Sequence, residues 1–124
     1  MEKLTKVFTV EANHTAKALG SGELEVLATP MLVAYMEATA QALIADRFKE
    51  GEGTVGGAIN IKHLAPTGVG QEVKVEAQLV KVQNDRLFNF AIEAYEGRTL
   101  IAQGRHQRAK SNNKKFLAKL KNEE

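Results

Sequence analysis

Three residues whose side chains are suited to acid–base or nucleophilic chemistry stand in or beside the most apolar part of this sequence. Glu37 lies in the middle of the stretch ATPMLVAYMEATAQALIADRF, Thr29 precedes it by eight residues, and His63 ends a later apolar segment. A carboxylate is costly to bury unless it is paired or its altered acidity is useful. A carboxylate, an imidazole and a hydroxyl together can supply a nucleophile or base, a proton shuttle and an orienting group.

Each of the three also has a purely structural interpretation. Thr29 is a favourable helix N-cap in front of Pro30, and His63 fits an ordinary hydrogen-bonded histidine of the core. Glu37 fits a carboxylate on a wet stripe of its helix, paired with Lys or Arg. On a helix, Thr29 and Glu37 are about 80° and two turns apart, so they can line one side of a cleft. The residues alone leave the structural and the catalytic interpretations open.

Other motifs carry less chemistry. His14 and His106 are weaker candidates, and three histidines without ligand spacing predict no metal site. The absence of cysteine excludes disulfides and thiolate metal sites. GEGTVG matches the dinucleotide-binding fingerprint, but it follows a predicted helix and opens a strand, which is the reverse of the order that the fingerprint requires.

The segment around Glu37 is predicted to be a long helix. Thr29 is its expected N-cap, and the helix should run from Met31 to about Lys49 and stop at Gly51, a length of roughly 30 Å. Its apolar side chains lie on more than one side, which is typical of a helix enclosed by other structure. They are Met31, Leu32, Val33, Met36, Leu43, Ile44 and Phe48.

The rest of the chain alternates as strands do. Residues 4–12 predict a first strand, and residues 24–27 predict a short one. In each of four later segments, alternating residues share one face of a predicted strand. These residues are Val55, Ile59, Ile61 and His63; Val73, Val75, Ala77 and Leu79; Phe88, Phe90, Ile92 and Ala94; and Leu100, Ala102, Gly104 and His106. In the second segment the apolar positions shift by one residue after Leu79, to Val80 and Val82, which predicts a bulge near Leu79. Hairpin-length connections between these four strands predict an antiparallel sheet.

The order of these elements predicts an α+β hot-dog fold, in which a long central helix is wrapped by a curved antiparallel sheet. A cystatin-like roll is the alternative, but it usually has more helix before the sheet. Open sheet edges predict a homodimer formed by edge pairing, with a tetramer as the alternative. Residues 1–110 should form the domain, and residues 111–124 a basic C-terminal tail whose helix starts at Ser111 and buries Phe116, Leu117 and Leu120.

Charge and composition limit the partners. Hydrophobic residues make up 44% and charged residues 26% of 124 residues, as in ordinary soluble domains. Polar residues interrupt the apolar stretch, so we expect no membrane partner, and the lack of a signal-like start predicts the cytoplasm. The net charge is +2, with a basic tail in which Phe116 is the only aromatic residue, so we expect no nucleic acid. A phosphate-bearing small ligand also fits the tail.

Three stretches together resemble one enzyme family. HTAKALGSGELEVLATPMLVAYMEATA, GTVGGAINIKHLAPTGVGQEVKVEAQL and AQGRHQRA are similar to the fluoroacetyl-CoA thioesterase-like group of hot-dog-fold thioesterases. The resemblance covers most of the chain, from residue 7 to residue 110. It rests on the GSG and ATP motifs, on the glutamate eight residues after the threonine, and on the later VG and HLAPTG motifs.

The resemblance implies a catalytic set of Thr29, Glu37 and His63. Glu37 would attack the thioester carbonyl or activate water, His63 would act as acid and base, and Thr29 would orient the substrate or the carboxylate. The backbone N–H of Gly56, or of Gly57 beside it, would polarise the thioester oxygen. No metal or separate cofactor is implied, because coenzyme A is part of the substrate. The CoA phosphates would meet basic residues near the tail, namely Arg105, Arg108 and Lys110.

The resemblance also bears on the substrate. The fluoroacetyl-specific member carries bulky aromatic residues as a lid before the helix, whereas KALGSGELEVL has none. A general short or medium acyl-CoA is therefore the expected substrate. The alternative function is a non-catalytic module that binds acyl-CoA or another small ligand. A hot-dog dehydratase fits less well, because its usual Asp/His signature is not seen.

Overall fold

A computed structural model describes residues 2–121 of the protein. Within that range the chain forms five strands, three α-helices and two short 3-10 turns. The strands are β1 (Lys3–Thr9), β2 (Glu52–His63), β3 (Glu72–Gln83), β4 (Leu87–Glu96) and β5 (Thr99–Asn112). The helices are α1 (Ala16–Leu19), α2 (Thr29–Ile44) and α3 (Asn113–Ala118), and the 3-10 turns are Ala12–His14 and Ala45–Arg47. The last three residues of the predicted basic tail, 122–124, lie outside the described residues.

The five strands form one antiparallel sheet in the order β1-β3-β4-β5-β2. The predicted antiparallel sheet is confirmed. The expectation that all four later strands follow one another as hairpins is wrong for β2 and β3, because β2 pairs with β5 at the far edge. The chain between them therefore crosses from one side of the sheet to the other, and β2 is left as an edge strand.

Helix α2 packs on the inner face of the sheet. Leu32, Met36 and Ile44 are fully buried there, together with inward side chains of β3 and β4 such as Val75 and Phe88. The prediction of a buried central helix is therefore confirmed. The helix is shorter than predicted, because it ends at Ile44 and gives way to a 3-10 turn. This turn allows the chain to return to the core at Phe48, whose ring packs edge-on against Phe88 with centroids 5.6 Å apart.

Bulges decide which side chains face the helix. The predicted bulge near Leu79 is confirmed, because the β3–β4 register shifts between Leu79 and Lys81. Two further bulges were not predicted, one in β2 between Gly56 and Ala58 and one in β5 where Leu100 meets Tyr95. The first places Val55 on the opposite face from Ile59, and the second separates Leu100 from Ala102. Each bulge adds one residue to one strand, so the two-residue alternation changes face there.

Smaller predictions at the ends of elements were wrong. The segment 24–27 forms only isolated bridges, from Val26 to Gly68 and from Leu27 to Thr15. Ser111 belongs to β5, and the tail helix begins only after Asn112, whose side chain caps it by accepting from the Lys115 N–H at 3.1 Å. The apolar side chains of α3 and of the turn after it are exposed, so the prediction that they are buried is wrong for the single chain. These are Phe116, Leu117 and Leu120. No helix within residues 2–121 is long and apolar enough to cross a membrane.

Candidate active site

Thr29 and His63 are in direct contact. Thr29 is the first residue of α2, His63 is the last residue of β2, and Thr29 Oγ1 lies 2.8 Å from His63 Nδ1. The prediction that Thr29 is the helix N-cap is wrong. Ala28, in an extended conformation, occupies the cap position, and Thr29 already has its place inside the helix. Its hydroxyl therefore forms a hydrogen bond with the imidazole instead of capping the helix.

The environment of His63 favours its neutral form. Burial lowers the pKa of His63 below its ordinary value, and a backbone interaction with Ala65 opposes that shift only in part. Nε2 is buried, and no residue among 2–121 forms a hydrogen bond with it. A neutral imidazole next to a hydroxyl can accept and return a proton at neutral pH.

Glu37 belongs to a second group of side chains. Its Oε2 atom lies 3.9 Å from Nη1 of Arg108, a distance for an ion pair rather than for a hydrogen bond. The side chain of Glu37 is 39% exposed, whereas that of Arg108 is 7% exposed. The apolar neighbours of Glu37 in the sequence predict an interior or cleft position, but in the single chain the carboxylate is only half-buried. A structural role for Glu37 would require a cation as its partner. Arg108 is such a cation, and it is buried.

The two groups are separate in one chain. Thr29 and Glu37 both lie in α2, and eight residues of helix correspond to about 12 Å along its axis. His63, at the end of β2, contacts Thr29, whereas Gly56, in the first half of the same strand, lies beside Glu37. One chain thus presents a hydroxyl–imidazole pair at one place and a carboxylate at another.

Gly56 makes room for the Glu37 carboxylate. A Cβ atom on Gly56 would lie 2.5 Å from Glu37 Oε2, so any larger residue would push the carboxylate away. Gly56 pairs with Arg108, and Gly57 is the extra residue of the bulge that follows. The extra residue of a bulge is left out of the regular ladder of hydrogen bonds. Both glycines are exposed on this edge strand.

The three basic residues predicted to bind CoA phosphates lie in three different environments. Arg108 is 6% exposed and points under α2, so the structure contradicts its predicted role as an external phosphate ligand. Arg105 is exposed on the outer face of the sheet, in a groove of about 530 Å³ that it shares with Lys62 and Glu93. Lys110 lies at the end of β5, with Nζ 3.7 Å from an oxygen of Glu52.

Sequence reasoning missed His106 as part of the site. His106 is 3% exposed and lies between Arg108 and the backbone of β2. The signal was present in the sequence, because His106 continues the inward set that includes Ala102 and Gly104, and Arg108 is the next position on that face. Two ionisable residues in succession on an apolar face predict an internal polar network.

A cavity adjoins the Thr29–His63 pair. Its volume is about 330 Å³, and it lies between the loop before α2, the start of α2 and the end of β2. Its lining is mostly apolar and includes Val26, Leu27, Pro30, Leu64, Ala65 and Pro66. A cavity of this size and lining can hold a small apolar group beside the two polar side chains. No group of three His, Asp or Glu side chains within residues 2–121 is arranged to hold a metal ion.

A sequence profile of the fluoroacetyl-CoA-specific thioesterases matches residues 10–114. The chain belongs to this family. A fluoroacetyl-CoA thioesterase of Streptantibioticus cattleyicolor is 35% identical over 126 residues, which cover 97% of this chain and 90% of that protein.

Solved structures of the fluoroacetyl-CoA-specific thioesterase agree with this assignment. One shares 33% identity and superposes with a TM-score of 0.92 over 99% of this chain and 95% of that chain. A mutant in complex with fluoroacetate and CoA shares 32% identity, with a TM-score of 0.88 over 93% of this chain and 96% of that one. The predicted hot-dog fold and the predicted family are thereby confirmed.

Proposed function

We propose that this protein is an acyl-CoA thioesterase that hydrolyses the thioester of a short or medium acyl-CoA. The observation that carries the proposal is the 2.8 Å contact between Thr29 and His63 in a member of the thioesterase family that also retains Glu37. A module that only binds acyl-CoA would need the cavity but not this set of side chains. Coenzyme A enters as part of the substrate, and the proposal includes no separate cofactor.

The proposed chemistry follows from the roles that the side chains can take. Glu37 either attacks the thioester carbonyl carbon, giving an acyl–carboxylate anhydride that water then hydrolyses, or removes a proton from the attacking water. His63 accepts the proton that the attacking water loses, directly or from Glu37, and passes it to the departing thiolate, and Thr29 orients the imidazole through its hydrogen bond. The backbone N–H of Gly56 or Gly57 polarises the thioester oxygen. The net reaction is thioester plus water to carboxylic acid plus thiol.

The cavity beside Thr29 and His63 supports a short acyl group. About 330 Å³ is at the lower end of ligand-pocket volumes, and the lining is largely apolar. The segment before α2 contributes Ala16, Ser21, Val26 and Leu27 to the lining, and no aromatic side chain. We therefore place a general short acyl-CoA ahead of fluoroacetyl-CoA as the substrate.

The separation of Glu37 from the Thr29–His63 pair supports a homodimer as the active form. Within one chain β2 is an edge strand, with a partner on one side only; Gly56 lies in its first half and His63 at its end. An edge of this kind is a template for pairing with a second chain. In the proposed dimer the β2 edges pair around a two-fold axis, so that Glu37 of one subunit faces the Thr29–His63 pair of the other.

The remaining predictions are retained as parts of the proposal. Lys110 and Arg105 stay as candidates for the CoA phosphates, and Lys110 is favoured because Arg105 lies on the face of the sheet opposite Glu37. Charge reversal at Lys110 should raise KM for acyl-CoA at low salt, and an unchanged KM would remove it from the site. The cytoplasmic location and the division of the chain at residue 110 also stay predictions.

The decisive experiment measures thiol release from a panel of acyl-CoAs by the wild type and by Glu37→Gln. Turnover by the variant should fall at least about 100-fold, the low end for loss of a general base. The fold should survive, because Gln keeps the volume of the side chain and Arg108 keeps its hydrogen bonds to Thr54 and His106. An active, less stable Glu37→Gln protein would show instead that Glu37 only compensates Arg108. Binding of acyl-CoA without hydrolysis by the wild type would favour the non-catalytic alternative.

A further inference from the structure

A buried polar cluster lies beneath Glu37 and has no role in the chemistry proposed above. It consists of His106 and Arg108 of β5 with Thr54 of β2. His106 is 3% exposed and Arg108 is 6% exposed. Burying two ionisable groups is costly unless their hydrogen bonds are satisfied, so the arrangement of those bonds is informative.

The backbone of β2 fixes the tautomer of His106. Nδ1 of His106 lies 2.8 Å from the carbonyl oxygen of Ala58, and a carbonyl oxygen can only accept. The ring hydrogen of the neutral imidazole is therefore on Nδ1, and Nε2 offers a lone pair. Nη1 of Arg108 lies 3.1 Å from Nε2 and donates to it.

The guanidinium of Arg108 is held on its other sides by Thr54. Nε donates to Thr54 Oγ1 at 2.8 Å, and Nη2 donates to the Thr54 carbonyl oxygen at 3.1 Å. With His106 in place, all three nitrogens of the guanidinium have an acceptor. The planar group therefore has a single orientation, in which Nη1 lies 3.9 Å from Glu37 Oε2.

The charges around His106 agree with a neutral ring. The groups that face it are Arg108 on its own strand, Glu37 on α2, the Ala58 carbonyl on β2 and the ring of Phe90 on β4, 6.0 Å away. Burial lowers the pKa of His106, and the positive charge of Arg108 lowers it further, while Ala58 and Glu37 act in the opposite direction. A protonated ring would turn Nε2 into a donor that faces another donor.

We propose that His106 is a positioning residue that orients the Glu37 carboxylate through Arg108. A Cβ atom at Gly56 would lie 2.5 Å from Glu37 Oε2, 3.4 Å from His106 Cε1 and 3.6 Å from Arg108 Nη1, so all three side chains meet at this glycine. His106 supplies the acceptor that fixes Arg108, and Arg108 supplies the charge that directs the carboxylate over Gly56. The inference rests on the proposed catalytic role of Glu37.

The test compares His106→Leu, which has no acceptor, with His106→Gln, whose amide can accept from Arg108 and donate to Ala58. Gln107→Leu is the matched control, because it removes one hydrogen bond, to Asn89, on the other face of the same strand. His106→Leu should lower kcat by at least about tenfold and change KM by less than about twofold, since misplacing a catalytic group affects the transition state. His106→Gln should restore most of kcat, and the control should match the wild type.

Two kinetic results would overturn the inference. One is an unchanged kcat per folded molecule in His106→Leu, with only the melting temperature lowered. The other is a further loss when His106→Leu is added to Glu37→Gln, because a residue that acts through Glu37 has no effect once Glu37 is gone.

A spectroscopic readout separates this inference from the proposed function. The carboxyl carbon of Glu37, labelled and assigned by its absence in Glu37→Gln, should shift in the NMR spectrum of His106→Leu and stay in place in His106→Gln and Gln107→Leu. If the wild type hydrolyses no acyl-CoA, the proposed function fails while this signal still decides the role of His106. A signal that does not move in His106→Leu overturns the inference even in an active enzyme.

Discussion

Among single residues, Gly56 gives the sharpest prediction, because substituting it should move the Glu37 carboxylate without destabilising the fold. The Cβ atom of Gly56→Ala would meet the far end of the Glu37 side chain, which can move, rather than backbone, which cannot. We expect a folded protein with a melting temperature near that of the wild type and a kcat reduced at least about tenfold. Thiol-release kinetics and thermal unfolding of the same sample measure both.

Gly53→Ala, on the same strand, is the control for Gly56→Ala. A Cβ atom on Gly53 would meet only the Asn113 side chain, at 3.7 Å, which is an ordinary contact. Its kcat should stay within about twofold of the wild type, since no catalytic group is displaced. Equal losses in the two variants would show that a side chain added to β2, and not the displaced carboxylate, limits activity.

Thr29 gives a second residue-level prediction. Because Ala28 occupies the N-cap, Thr29→Ala removes the hydrogen bond to His63 without removing a helix cap, which would cost about 1 kcal/mol. We therefore expect kcat to fall while the free energy of unfolding changes by less than about that amount. Thr29→Ser, which keeps the hydroxyl, should stay close to the wild type in both. A stability loss confined to Thr29→Ala, with normal kcat, would contradict a role in the reaction.

The half-buried His63 and the buried His106 predict the pH dependence of stability. Burial lowers the pKa of both His63 and His106, so below about pH 6.5 the unfolded chain binds more protons than the folded chain. Their neutral forms therefore contribute fully to stability above that pH, and the contribution is lost as the pH falls. Urea unfolding between about pH 7 and about pH 5 should show this decline, and His106→Gln should show a shallower one. An identical slope in both proteins would contradict the prediction.

At the scale of elements, the pairing of β2 with β5 depends on a second glycine. A Cβ atom on Gly104 would overlap the Asn60 carbonyl oxygen and lie 2.7 Å from Ile61 Cα, and both of these are backbone atoms. Gly104→Ala should therefore push the two strands apart and cost at least about 1–3 kcal/mol, the usual penalty for overpacking. Gly53→Ala is the control within β2, because its Cβ would touch only the Asn113 side chain, at 3.7 Å. Urea unfolding measures both, and an equally stable Gly104→Ala would show that the strands adapt.

At the scale of the whole molecule, the separation of Glu37 from Thr29 and His63 predicts complementation between subunits. Glu37→Gln and His63→Ala should each be nearly inactive alone. If the catalytic set is shared across a two-fold interface, an equimolar co-refolded mixture regains about a quarter of the wild-type activity, because half of the dimers are mixed and each mixed dimer keeps one intact site. If each chain carries its own complete set, the mixture gains nothing. A monomeric mass in solution would also contradict the dimer.

The elements that depend on local periodicity could be predicted from the amino-acid sequence alone. The apolar stretch around Glu37 predicts α2, the alternating segments predict β3 and β4, and the one-residue slip after Leu79 predicts its bulge, because each signal lies within a single element. The segments that contain Thr29, Glu37 and His63 resemble those of the family, and this resemblance predicted the family. These features need only the chain's own neighbours along the sequence to be recognised.

Only the tertiary structure decided where these elements meet. Alternation along β5 puts Arg108 on the inward face, but only the register of β2 against β5, with its bulge at Gly57, sets Arg108 opposite Gly56 and beside Glu37. The partner of the Thr29 hydroxyl is His63, at the far end of another element. His106 acquired its neighbours in the same way, from a strand that pairs across the sheet rather than along the chain. Side-chain facing is set by long-range pairing, and a one-residue shift in that pairing reverses it.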